Sequence, residues 1–142
     1  MNIIQITVEF FLVFLFAMDS MKSKGSLCRI RKCVFDLLSM EEELIDENDD
    51  NFEFIRKDIR LKSTFLYFDL SQIISIADDE HKKASLTHLA NTLFSCIEKL
   101  GNALKSGKVS LIQIHYHDAA LALQEVMTAL QLLHGRMNEN DQ

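Results

Sequence analysis

The chain has 142 residues, enough for one domain with a core of its own and too few for two comfortable ones. Its 48% apolar and 25% charged residues balance as in an ordinary soluble globular domain, and with no proline and only four glycines it lacks the turn chemistry of an all-β fold. A net charge of −6 withholds the basic field through which nucleic-acid binders release counterions, so a duplex-binding role is disfavoured.

The first eighteen residues stand apart. From Phe10 to Met18 (FFLVFLFAM) the chain is apolar without interruption, and Ile3, Ile4, Ile6 and Val8 extend that character backwards past Gln5 and Glu9. A membrane span wants about 20 apolar residues, more than this stretch offers. A secretory signal wants a basic start and a small-x-small cleavage site, which it also lacks. A cleaved hydrophobic signal, an interfacial anchor and an artefactual start of the chain all stay open. Residues 19–26 (DSMKSKGS) read as a polar linker.

Apolar residues then recur in steps of three and four at Leu27, Ile30, Val34, Leu37, Leu38, Leu44 and Ile45, one face of an amphipathic helix. Ser26 is its expected N-cap, and the acidic run DENDD (46–50) its end, since crowded like charges prefer solvent. A second helix carries Phe52, Ile55, Ile59, Leu66, Leu70, Ile73 and Ala77 on one stripe. A further stripe of Leu61, Phe65 and Phe68 is expected to lie beside the first and widen it towards a second neighbour. Asp78 or Asp79 should cap the next helix, with Glu80 in its first turn.

The third helix uses Leu86, Leu89, Leu93, Ile97, Leu100 and Leu104, with Ala90 and Phe94 at its sides. Lys105, Ser106 and Gly107 should end it, the glycine in the usual C′ place. Gly101 interrupts its interior. The fourth helix reads Ile112, Tyr116, Ala119, Leu123, Val126, Leu130, Leu133 and Met137, with Ser110 as its cap and Gly135 as its stop. Isolated helices are marginal in water, so each apolar face needs a partner. Similar lengths and short connections predict an all-α, up-down-up-down four-helix bundle with a hydrophobic N-terminal extension. The expected division is 1–25 for the hydrophobic segment and linker, 26–135 for the bundle and 136–142 for a polar tail.

Reactive chemistry is sparse. Cys28, Cys33 and Cys96 are odd in number and have no CxxC spacing. On a helix Cys28 and Cys33 point about 140° apart, and Cys96 reads as a small buried hydrophobe. His115 and His117 form an HxH, yet on a helix the two rings diverge by about 200°. His81 and His88 share a face, but nothing on it completes a tetrahedral set, and no Glu stands three before any histidine as a di-iron bundle requires. No phosphate loop, nucleophile elbow or zinc-protease motif occurs, and the acidic run lacks the glycine and final glutamate of a calcium loop. No cofactor, metal site or catalytic residue is expected.

Charge offers one candidate site. Arg56, Lys57, Arg60 and Lys62 cluster early in the second helix, with Arg29, Arg31 and Lys32 on the first and the acidic run between. Arg56 and Arg60 lie one turn apart on one face. The plain reading is a solvated surface; the sharper one is a docking patch for an acidic partner.

The string Asp58-Ile59-Arg60-Leu61-Lys62-Ser63-Thr64-Phe65-Leu66-Tyr67-Phe68-Asp69-Leu70-Ser71-Gln72-Ile73-Ile74 resembles the second helix of the PsbQ family. The segments KKASLTHLANTLFSCIEKLGNAL (82–104) and YHDAALALQEVMTAL (116–130) resemble its third and last helices, and CVFDLLSMEEELID (33–46) is similar to the PsbQ-like branch. The resemblance covers about residues 28–130. It implies a four-helix bundle in the thylakoid lumen, peripheral to the membrane and docked through protein partners. PsbQ itself is an extrinsic subunit on the oxygen-evolving side of photosystem II. The PsbQ-like branch supplies lumenal subunits of the chloroplast NAD(P)H dehydrogenase-like complex, which supports cyclic electron flow around photosystem I. The implied role is to stabilise a larger assembly without catalysis. That complex is the expected partner and photosystem II the alternative, with a metal-dependent bundle enzyme as a remote third. The chain departs from the family in its short hydrophobic start, in Gly101 where an acidic residue is commoner, and in the tail QLLHGRMNENDQ (131–142).

Overall fold

The computed structural model describes residues 21–45 and 49–140, with side chains described for 24–44 and 51–131. The hydrophobic segment at 1–18 and the first residues of the acidic run lie outside the described residues. Within them the chain forms α1 (Met21–Leu38), α2 (Glu41–Ile45), α3 (Asp49–Ser75), α4 (Glu80–Ser106) and α5 (Val109–Asn140), and no strand occurs.

Each long helix packs against the next, and α5 returns to α1, which closes a ring of four. Neighbours run antiparallel: Arg29 of α1 pairs with Asp69 of α3, while Cys33, one turn later, meets the carbonyl of Lys62, two turns earlier. The core is the meeting of stripes legible in the sequence. Ile30, Val34 and Leu37 meet Ile59, Leu66 and Leu70, and Leu93, Ile97 and Leu100 meet Ile112, Leu123 and Val126. Leu93 and Ile112 have no exposed surface at all. Burying such a side chain contributes about 1.5–3 kcal/mol, which is why the ring closes.

The α3–α4 and α4–α5 connections follow local rules. Asp79 accepts a hydrogen bond from the His81 N–H at 3.0 Å, and Glu80 sits in the first turn of α4, where the helix dipole favours a carboxylate. At the other end Gly107 takes φ 71° and donates its N–H to the carbonyls of Ala103 and Leu104. That backbone conformation costs a side-chain-bearing residue about 1 kcal/mol or more.

Several expected boundaries are corrected. α1 begins at Met21, inside the expected linker, so Ser26 is not its cap. Ser26 lies one turn before Ile30 on the core face and is buried there, its Oγ receiving a hydrogen bond from Arg29. The first helix does not reach Asp46; it breaks after Leu38, and Ser39–Met40 turn the chain into α2. Three successive glutamates, Glu41, Glu42 and Glu43, oppose the negative end of a continuing helix and suit the positive start of a new one. α3 takes in Asp49 and Asp50, so the acidic run is in part helical. α5 starts at Val109, which puts Ser110 inside it, and the Ser106 hydroxyl accepts from the Lys108 N–H at the junction instead. α5 also continues through Gly135 to Asn140, so part of the expected tail is helical. The side chains of Leu133, His134 and Met137 lie outside the described residues.

The stripe of Leu61, Phe65 and Phe68 does not widen the core face. Leu61 and Phe65 are exposed and Phe68 is half-buried, more than about 100° around the helix from the Ile59–Leu66–Leu70 seam.

Candidate functional site

All four cations of the expected docking patch lie on α3, but the structure divides them. Arg56 is held by Glu53 one turn earlier in a two-point contact of 3.0 and 2.7 Å. That pairing holds the Glu53 carboxyl below its usual range and pushes Arg56 up, chiefly through the hydrogen bonds between them. Lys62 is engaged by Asp58, also on its own helix. Lys57 and Arg60 are exposed and make no ion pair among the described residues. Of the other basic residues, Arg29 is joined to Asp69 at 2.9 Å and so ties α1 to α3.

Beside the free pair runs the outward stripe of α3. Phe54 is 74% exposed, Leu61 58% and Phe65 60%. Residues seven and four apart stack along a single line of the helix, so these three form a ridge about 16 Å long. Around the helix Lys57 falls about 60° to one side of the ridge and Arg60 about 120°, with Glu53 between them, and the paired carboxylates Asp58 and Asp69 lie towards α1 on the other side.

Two titratable groups elsewhere, Tyr116 and Cys33, are bound into the structure. The Tyr116 hydroxyl lies 2.9 Å from the carbonyls of both Leu37 and Leu38, the last residues of α1, of which the Leu37 carbonyl also accepts from the Met40 N–H. Burial, reinforced by the Glu41 carboxylate, pushes its pKa up to about 12. Tyr116 thus fastens the α1–α2 corner to α5. In the sequence it reads only as a core-stripe residue; the available signal was a phenol on an apolar face, which needs a partner for its hydroxyl when buried. Cys33 is half-buried, and burial together with Asp36 pushes its thiol up to about 11, away from reactive thiolate. Cys28 is exposed, and Cys96 is only partly buried at the edge of the core.

His81, His88 and His117 are exposed, and His115 keeps a buried Nδ1 without a hydrogen-bond partner. Among the described residues no three of His, Cys, Asp and Glu converge as a metal-binding group. An open cleft of about 460 Å³ separates α2 from α5, walled by Glu41, Gln113, Tyr116, His117 and Gln124. Its tyrosine hydroxyl is already spent on α1, and its walls bring no nucleophile to a base. Among the described residues no helix is long and apolar enough to cross a membrane.

The family model for PsbQ, oxygen evolving enhancer protein 3, matches residues 12–131, the whole ring of helices up to the last turns of α5. The chain belongs to the PsbQ family. It is 42% identical over 108 residues to the Arabidopsis thaliana photosynthetic NDH subunit of lumenal location 3, chloroplastic, an alignment spanning 76% of this chain and 47% of that protein. It is 29% identical over 115 residues to the Arabidopsis thaliana oxygen-evolving enhancer protein 3-1, covering 81% of this chain and 50% of the relative. To the Spinacia oleracea oxygen-evolving enhancer protein 3 it is 32% identical over 76 residues, 54% of this chain and 32% of the relative. The chain thus spans about half the length, or less, of these curated relatives. Within this PsbQ-family bundle, the outer ridge of α3 is an exposed apolar surface, with cations to one side that are unpaired among the described residues.

Proposed function

We propose that this chain is a non-catalytic extrinsic subunit on the thylakoid lumenal side that stabilises the chloroplast NAD(P)H dehydrogenase-like complex for cyclic electron transport around photosystem I. The observation that carries this reading is the 42% identity to a photosynthetic NDH subunit of lumenal location. Its weaker 29% identity to an oxygen-evolving enhancer protein favours, as a second reading, a PsbQ-type subunit of photosystem II. In either case the bundle acts as a brace. Its core is closed by apolar packing, its polar groups are largely tied to their own helices, and its outer surfaces are left to meet other proteins.

The docking role of Arg56, Lys57, Arg60 and Lys62 belongs to this proposal. Lys57 and Arg60 are the pair available to an outside carboxylate, while Arg56 and Lys62 would first have to give up Glu53 and Asp58. The partners are proteins of a thylakoid complex, and membrane association runs through them. Native-gel separation of thylakoid complexes, followed by mass spectrometry of each band, tests the proposal. Comigration with the NAD(P)H dehydrogenase-like complex is the expected result. Comigration with photosystem II selects the second reading, and migration with neither overturns both. A stoichiometric transition metal or turnover by the isolated chain would restore an enzyme.

A further inference from the structure

The outer ridge of α3 is unusual because its three large apolar side chains serve no purpose inside the bundle. Phe54, Leu61 and Phe65 are each more than half exposed while the opposite face of the same helix is fully buried. Together they leave on the order of 300 Å² of apolar surface in contact with water, comparable to the largest apolar patch on a typical monomer, which is often a functional one. Among the described residues exposed apolar side chains also occur at Phe35 on α1 and at Leu111, Ile114 and Leu121 on α5, but the α5 three are each less exposed than any of the α3 three and spread over about 80° of their helix.

We propose that this ridge is the docking seam for an amphipathic helix of a partner subunit, one whose apolar stripe is bordered along one edge by Asp or Glu. The inference rests on the assembly role proposed above and names the surface and the chemistry that serve it. A straight ridge on a helix fits the groove between side-chain rows of a second helix. The charge pattern selects the edge. Lys57 and Arg60 stand on one side of the ridge in no ion pair among the described residues, the Glu53 carboxylate between them being held by Arg56, whereas Asp58 and Asp69 on the other side are already neutralised by Lys62 and Arg29. A partner carboxylate is therefore attracted to one edge and has no free cation to meet on the other.

Two other occupants fit less well. A second copy of the chain would bring Lys57 and Arg60 of both copies into one isologous seam, where like charges repel. An anionic lipid surface calls for cations around the apolar face, but here the far edge carries Asp58 and Asp69.

The test uses the full chain in thylakoid membranes, with a photo-crosslinking residue at position 61 and mass spectrometry of the adduct. A crosslink to a protein helix with an acidic edge is expected. A crosslink to lipid, to a second copy of the chain or to a segment without acidic residues would overturn the proposal. In parallel, the double variants Phe54→Gln/Phe65→Gln and Lys57→Glu/Arg60→Glu should each lower the complex-bound fraction about tenfold or more. Circular dichroism and thermal unfolding should match the parent chain, which separates lost docking from lost folding. Should the parent chain comigrate with a complex and both folded variants do so equally, the assembly role stands and this seam is wrong. Should the parent chain comigrate with none, both fall.

Discussion

The two faces of α3 carry nearly the same chemistry and meet opposite fates. One presents Phe52, Ile55, Ile59, Leu66 and Leu70, all buried; the other presents Phe54, Leu61 and Phe65, all exposed. Apolar content alone does not separate a core from a docking surface. What separates them is which face the antiparallel neighbours α1 and α4 cover, and a ring of four helices covers only the inward side of each member.

That contrast is broken most severely from the inner side. Leu66→Ala should cost about 2–5 kcal/mol in urea unfolding, because the cavity lies where α1 and α3 meet and cannot collapse freely. A loss below about 0.5 kcal/mol would mean that the two faces differ less than their burial implies.

The α1–α2 corner gives an effect of intermediate size. Tyr116→Phe removes the hydroxyl bridging to Leu37 and Leu38 and should cost about 1 kcal/mol. That corner and the α1–α3 seam at Cys33 together set an alkaline limit. Tyr116 is raised from 10.0 to about 12 and Cys33 from 9.0 to about 11, so both protons bind more tightly in the folded chain. The stabilisation is therefore complete below pH 9 and is lost as pH climbs through 9–12, where the unfolded chain gives up its protons first. The urea midpoint should fall across that window, and a Cys33→Ala/Tyr116→Phe double variant should flatten the fall.

Glycine substitutions sharpen the contrast on α4. A Cβ on Gly101 meets nothing within 4 Å, so Gly101→Ala should raise stability by up to about 1 kcal/mol. Gly107→Ala should lower it by a similar amount, because φ 71° is left-handed. Differential scanning calorimetry would register the two with opposite signs. The smallest effect belongs to the outer ridge, where Phe54→Gln and Phe65→Gln should each change stability by less than about 0.5 kcal/mol.

Much of this was legible beforehand. The seams of α4 and α5 follow period 3.6 closely, and the Asp79 and Gly107 caps obey rules contained within a few residues. The misreadings came where distant contacts outweighed local preference. Ser26, Ser110 and Gly135 are good local punctuation, yet helices run through all three. At Ser26 the reason is visible, since its position on the core face of α1 is worth more than a cap. The candidate patch was found as a cluster, but which cations stay free depended on where Glu53 and Asp58 sit one turn away.

Sequence by itself determined the helices, their apolar seams and the family, because these depend on periodicity and on residue strings within one segment. Tertiary structure alone decided that Tyr116 holds the break after Leu38, and that one apolar face of α3 is core while the other meets solvent. Burial is a property of what stands opposite a side chain, and that neighbour comes from another part of the chain.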